Sequence, residues 1–299
     1  MELRHLRYFV AVAEELHFTR AAERLHIGQP PLSQQIQALE AELGVQLFER
    51  TRRQVKLTEP GKHFLQRARQ ILASAQAARD ETVRIARGEA GELRVGFTSS
   101  LPLTHLLPMV LREYRLAYPA VRLVLGEMFT SRQFEALLEG RLDIGFARYT
   151  GSTPPEGISL REIRRDPLVL FVNQHHRLAQ AKRVSIADLR HEDFVAYPAS
   201  VGAGLIDLLH QLSRAAGFTP NVVQEVSEAS TQIGLVAAGL GLAILPSPLQ
   251  CVRIEGVCHV PISDANAHLS LGIAVAQDRR SPQIDRFLAV LEAVKAKVE

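Results

Sequence analysis

Residues 18–50 read FTRAAERLHIGQPPLSQQIQALEAELGVQLFER, and the adjacent prolines in this run constrain the fold more than any other feature. Proline has no backbone N–H and is tolerated only in a helix's first turn, so Pro30 and Pro31 fix a helix start near Gly28 and Gln29. From there Leu32, Ile36, Leu39 and Leu43 recur on one stripe that must pack inward. The opposite face carries Pro30, Ser33, Gln34 and Gln37, which are short or amide-bearing and uncharged.

The flanking segments give that helix a setting. Leu6, Phe9, Val10 and Ala13 make an earlier helical stripe. Phe18 and Thr19 read as an apolar lead-in and N-cap for a helix from Arg20 to Leu25, and His26, Ile27 and Gly28 make the turn. After the second helix, Arg50, Arg52, Arg53 and Lys56 fall in a short extended stretch with no acidic residue between Arg50 and Thr58. Helix, turn, helix and basic hairpin is the order in which a winged helix-turn-helix enters the major groove and reaches phosphates or the minor groove. An amide both donates to and accepts from a base edge. A solvated polar face and a solubilising basic loop are the competing readings of the same residues.

Charge is unevenly placed in a way that matches. Residues 1–87 hold 14 Lys/Arg against 10 Asp/Glu, and the remainder holds 21 against 22, so basicity sits at the amino end. With 299 residues and 46% apolar content, two or three domains are expected. The longest weakly polar run, Gly234 to Pro246, is too short to span a bilayer, and Met1-Glu2-Leu3-Arg4 opens no signal peptide, so a cytoplasmic protein is expected. Cys251 and Cys258 form no metal-ligand spacing with each other or with histidine and read as structural thiols. His175 and His176 lie in a polar loop stretch. No metal, no catalytic residue and no cofactor is expected, because no phosphate-binding loop, nucleophile elbow or zinc-protease motif is present.

Residues 61–87 carry Phe64, Ala68, Ile71, Ala75, Ala78, Thr82 and Ile85 at the spacing of a coiled-coil seam. So narrow a stripe of small residues implies a partner helix and hence a homodimer; packing on its own domain is the alternative. Arg87-Gly88-Glu89-Ala90-Gly91 reads as a hinge. Beyond it, strands are expected at 93–97, 121–127, 142–147, 168–172, 194–197, 222–226, 242–245 and 269–275. Helical stripes such as Leu106/Val110/Tyr114 and Leu205/Leu208/Leu209/Leu212 separate many of them, which argues for mostly parallel sheets covered on both faces. Three strand ends run into Thr98-Ser99-Ser100, Thr130-Ser131 and residues 199–204, each expected to open a helix with hydroxyls or glycines. Such junctions leave backbone N–H groups free for an anion, so a small carboxylate held between two lobes is expected, with ordinary capping as the alternative. Arg148, ending DIGFAR, forms either a second acidic-ligand site or an ion pair with a carboxylate such as Glu228.

The opening MELRHLRYFVAVAEE, the QPPLSQQIQALEAELGVQLFER block, KLTEPGKHFL, LEGRLDIGFAR and GLVAAGLGLAILP together resemble LysR-type transcriptional regulators over essentially the full length. LRVGFTSSL followed by LLP looks most like regulators of aromatic-acid degradation that respond to muconate, benzoate or phenylpropionate-type compounds. The resemblance implies an α/β protein with a mostly helical winged helix-turn-helix head at 1–58, a linker helix for dimerisation at 59–87, and a periplasmic-binding-protein-like effector domain at 88–299. Lobe one of that domain would be 91–163 plus 268–299, and lobe two 164–267. It further implies a homotetramer that activates transcription through double-stranded promoter DNA and RNA polymerase.

By the same resemblance Gln29, Pro30, Ser33 and Gln34 meet bases and Arg52 or Arg53 the minor groove; Pro31 and Gln37 on the helix and Arg50 in the basic hairpin complete the expected DNA-binding set from the residue pattern itself. Ser99, Ser100, Leu101 and Thr130 take the effector from lobe one, and Ala203, Gly204 and Leu205 approach from lobe two. Two positions depart from the family's usual pattern: Gly28 stands where serine is common, and Gln34 where close members carry arginine, which favours adenine over guanine. A regulator of a non-aromatic metabolite, a ligand-binding protein without regulatory output, and a DNA-tethered enzyme acting on a small carboxylate are the other readings.

Overall fold

The computed structural model describes residues 1–51, 54–151, 153–199 and 204–298. Contacts divide the chain into two units, Met1–Arg84 and Ile85–Glu299. The first contains α1 (Leu3–Glu15), α2 (Phe18–Arg24), α3 (Gln29–Leu43), the antiparallel pair β1 (Phe48–Arg50) and β2 (Val55–Leu57), and most of α4 (Glu59–Ala86). Helix α2 is capped by His17, whose ring accepts from the Arg20 N–H at 3.4 Å, so Phe18 and Thr19 lie inside the helix and not before it.

Helix α3 starts where the prolines require and ends at Gly44, whose φ of +70° suits glycine. Leu32, Ile36 and Leu39 are fully buried against Leu6, Phe9, Val12, Ala21 and Ala22. Each is worth about 2 kcal/mol on burial, far more than the few tenths separating surface residues in helix propensity, so this stripe sets the helix's rotation. Phe9 packs on Phe48 and Phe64 with ring centroids 5.2 and 5.0 Å apart. Gly61 in α4 lies so close to β1 that an added Cβ would stand 2.1 Å from the Leu47 carbonyl oxygen.

The seam read along α4 divides. Phe64 and Ala68 belong to the head's own core, whereas Ile71, Ala78, Thr82 and Ile85 are exposed on this chain.

The second unit is built on a seven-stranded sheet of β3 (Ala90–Phe97), β4 (Ala120–Glu127), β5 (Ile144–Tyr149), β6 (Ile158–Asn173), β9 (Ala243–Pro246), β10 (Val257–Pro261) and β11 (His268–Ala276). The order is β10-β6-β11-β5-β3-β4, with β9 also pairing β6. A separate parallel pair joins β7 (Asp193–Ala196) to β8 (Asn221–Glu225). The sheet is mixed and not mostly parallel as expected: β3 runs parallel to β4 and β5, but β11 is antiparallel to β5 and β6, and β9 and β10 are antiparallel to β6. The cause is β6, sixteen residues long, which passes out of one core and into another while β11 returns beside it.

Strand β6 contributes Ile163 to a core with Val95, Tyr114, Phe146 and Phe287, and Leu168 to Val172 to a second core with Phe194, Leu209, Ile233 and Leu245. Helices α5 (Leu106–Ala117), α6 (Thr130–Leu138) and α9 (Pro282–Val298) accompany the first lobe; α7 (Leu205–Ala215) and α8 (Ala229–Ala237) cover the second. The expected hinge is partly strand, since Ala90 and Gly91 open β3 in register with Ala120 and Val121. Cys251 is exposed and not a core thiol.

One buried carboxylate organises the head's corner. Glu40, 3% exposed, accepts the Leu47 and Phe48 N–H groups at 2.9 and 3.0 Å and pairs with Arg50 at 2.6 Å. Glu40→Ala strips both amides and the guanidinium of their partner, and should lower unfolding free energy by about 3 kcal/mol, read as a fall in the urea midpoint of the full-length chain.

Candidate functional site

Two places on the chain gather chemistry-bearing side chains. On α3, Gln29, Pro30, Pro31, Gln34 and Gln37 are exposed and Ser33 half-buried, so the uncharged face read from the sequence stands free at the helix's start. Gln35, one position round, hydrogen-bonds His5 at 2.9 Å. The hairpin of β1 and β2 closes through the Thr51 N–H donating to Gln54 at 2.9 Å. Arg52 and Arg53 lie outside the described residues. Arg50 corrects the expectation of a basic wing made of all its arginines: it pairs with buried Glu40 and lies over the Phe18 ring at 4.8 Å, so it holds the hairpin to the helices and is not free for phosphate.

The second place is a cavity of about 310 Å³ between the two lobes. Thr98, Ser99 and Ser100 follow β3; Glu127, Met128, Phe129 and Thr130 join β4 to α6; Tyr197, Leu205, Ser227, Glu228, Pro246 and Leu249 come from the second lobe. Phe129 and Tyr197 meet edge to face across it, centroids 5.7 Å apart. At its floor is Arg148, only 4% exposed. Its Nη1 donates to Asp166, its Nε donates to the Ser100 hydroxyl at 3.3 Å, and its Nη2 has no partner among the described residues. Arg164 reaches the same Asp166 at 3.0 Å. Burial pulls the Arg148 guanidinium below its ordinary range, and Asp166 opposes that pull.

The cavity's hydroxyls divide by what they already hold. Thr130 Oγ1 accepts the Arg148 N–H and donates to the Arg148 carbonyl, both at 2.9 Å. That hydroxyl is committed to β5, so what Thr130 offers a ligand is its place in the first turn of α6, where helix N–H groups have no partner within the helix. Burial pushes the Tyr197 phenol up to about 12, with Glu228 and Glu127 adding to the rise and Ser99 opposing it. Thr98 Oγ1 is buried without a partner among the described residues.

Other expected site residues fall elsewhere. Leu101 is fully buried in the first lobe's core. Gly204 faces Tyr149 and Thr150, where an added Cβ would meet the Tyr149 Cα at 3.5 Å, and Ala203 lies outside the described residues. Arg148 is paired with Asp166 and not with Glu228, because β5 and β6 flank β11, with Arg148 and Arg164 both opposite Leu271. Thr98–Ser100 open no helix: α5 begins only at Leu106, after a series of turns. Asp166, Tyr197, Met128 and Phe129 were not foreseen.

Among the described residues no group of three His, Cys, Asp or Glu side chains could hold a metal ion, and no helix is long and apolar enough to cross a membrane.

Residues 3–62 match the family described as bacterial regulatory helix-turn-helix protein, lysR family, and residues 86–296 match the LysR substrate binding domain. The chain belongs to the LysR family of bacterial transcriptional regulators. This LysR-type regulator is 48% identical to the uncharacterised HTH-type transcriptional regulator YnfL of Escherichia coli (strain K12), over 89% of each chain. It is 42% identical to BenM of Acinetobacter baylyi over 99% of its own length and 97% of BenM's. The crystal structure of full-length CbnR complexed with its target DNA superposes with a TM-score of 0.82 at 32% identity, covering 99% of this chain and 100% of CbnR. The BenM effector binding domain with its effector benzoate superposes with a TM-score of 0.62 at 32% identity, covering 70% of this chain and 93% of that domain. The LysR-type regulator is accordingly a DNA-binding protein with an effector domain, and not an enzyme.

The commitment of the Thr130 hydroxyl has a measurable consequence. Thr130→Val leaves a buried N–H and carbonyl of Arg148 unsatisfied and should cost about 2 kcal/mol of stability, seen as a lower Tm without any ligand; an unchanged Tm counts against that role.

Proposed function

We propose that this regulator reads promoter DNA with the free face of α3, dimerises through α4, and changes transcription when a small organic acid with an apolar or aromatic body enters the lobe cavity. The observation that carries the effector reading is the Arg148 guanidinium: a buried cation with one unpartnered nitrogen among the described residues, in a cavity whose lining includes the apolar or aromatic Met128, Phe129, Tyr197, Leu205, Pro246 and Leu249. A buried polar group without a partner costs about 1–3 kcal/mol, and more when charged, and an incoming carboxylate removes that cost. Ser99 and the start of α6 supply further donors, and Leu205 supplies apolar contact from the second lobe. The roles divide along the chain as head 1–58, linker helix 59–87 and effector domain 88–299, with lobes 91–163 plus 268–299 and 164–267.

The exposed seam of α4 supports the homodimer, and the likeness to CbnR on its target DNA supports the promoter contact. On this reading the protein works in the cytoplasm as a homotetramer that activates an operon for aromatic-acid breakdown in concert with RNA polymerase. BenM's benzoate supports the acid class.

The effector test is thermal stabilisation against benzoate, muconate, cinnamate, phenylpropionate and amino acids. A ligand at 100 times its Kd adds about 2.7 kcal/mol and raises Tm. One aromatic acid giving that shift, with the shift lost in Arg148→Met, is the expected result; a flat panel removes the aromatic-acid assignment and leaves the DNA reading standing. For the DNA face, Gln29→Ala should cost about 1–3 kcal/mol of operator discrimination with unchanged Tm, and a footprint identical to wild type removes Gln29 from base contact.

A further inference from the structure

The charges around the cavity are not evenly answered, and this limits what kind of acid fits. At the floor, Arg148 and Arg164 share a single carboxylate, Asp166, which leaves one positive charge over. Arg148 lines the cavity at 4% exposure, and its Nη2 has no hydrogen-bond partner among the described residues. The mouth has the opposite sign. Glu127, the last residue of β4, and Glu228, immediately before α8, are exposed, line the cavity from the two lobes, and both raise the pKa of the same Tyr197 phenol. Neither has an ion-pair partner among the described residues, and Glu228 makes no side-chain cap to its helix. Among the described residues that line the mouth the one cation, Arg132, is 74% exposed and paired with Glu135 at 2.9 Å, so its attraction for a ligand is weak.

Resting on the effector reading above, we infer that the cavity selects monocarboxylates over dicarboxylates of the same skeleton: Arg148 receives one carboxylate at the floor, and Glu127 with Glu228 repels a second at the mouth. Rejection comes from placing like charges where the wrong ligand ends, which is how a binding site separates two molecules that share most of their contacts. A monocarboxylate ends instead in a group that is neutral or donates a hydrogen bond, and the two glutamates can accept it.

Isothermal titration of the full-length protein with matched pairs tests this: benzoate against terephthalate, and 2,4-hexadienoate against 2,4-hexadienedioate. Wild type should bind the monoacid of each pair at least about tenfold tighter, and Glu127→Gln combined with Glu228→Gln should narrow that ratio by about tenfold. Both residues are exposed, so the double variant should melt with wild type. A dicarboxylate that binds wild type as tightly as its monoacid overturns the charge filter and leaves the carboxylate effector intact. A ratio that the double variant does not move also overturns it, because the discrimination is then one of size. Failure of every acid in both pairs to bind defeats the effector reading itself, and the filter with it.

Discussion

The regulatory unit turns on the pairing of Arg148 with Asp166. Both groups are almost wholly withdrawn from water, and they reach each other across β11, so the pair ties the end of β5 to the middle of the long β6. Desolvating two charges is expensive, and a buried pair often adds no net stability over apolar side chains of the same shape, so stability is a poor explanation for its presence. Its consequence is positional. Asp166 draws on one nitrogen of the guanidinium, Ser100 accepts from another, and the third has no hydrogen-bond partner among the described residues, in a side chain that lines the cavity. The backbone of the same arginine is held by the Thr130 hydroxyl from α6, so three chain segments agree on where that nitrogen stands.

The head shows the same device in a smaller setting. Glu40 is buried to satisfy two amides that turn the chain out of α3 into β1, and it fixes Arg50 in doing so. An arginine in a basic hairpin thereby becomes part of the scaffold, while the uncharged side chains at the start of α3 stay exposed. A bidentate amide contact to a base depends on angle, so a helix that offered amides to DNA would need a fixed rotation. Full burial of Leu32, Ile36 and Leu39 sets that rotation.

The elements read well from the sequence were those whose cause is local. The α3 start followed from two prolines, its buried face from a spacing of three and four, and β3 and β4 from short apolar runs that the structure extends by only a few residues. The first half of β6 was missed because Ile158 to Asp166 alternates apolar residues with arginines and acids, which reads as loop, although Ile163 and Asp166 both turn inward. Strand β10, Val257–Pro261, is short and holds a histidine whose ring packs on Phe171 at 4.6 Å, a contact visible only once β10 pairs with β6. Sheet direction failed for a related reason: alternating strands and helices imply parallel pairing, but two crossing strands between lobes override it. The cavity was legible as a set of junction hydroxyls and not as a charged floor, because which carboxylate answers Arg148 depends on register across three strands. Nothing within 18 residues of sequence separation marks Asp166 as that partner.

Coupling between cavity and promoter is a question of differential affinity. A ligand moves an equilibrium only as far as its binding differs between the two arrangements, so an effector that touched one lobe alone would bind tightly and signal nothing. The cavity is built from both: Arg148, Ser99 and Phe129 from one, Tyr197, Leu205 and Glu228 from the other. Phe129 meets Tyr197 edge to face across it, a contact worth on the order of 1 kcal/mol. An effector that touches both lobes therefore has the means to bind two arrangements of them with different affinity, and a coupling of a few kcal/mol suffices for a regulatory response.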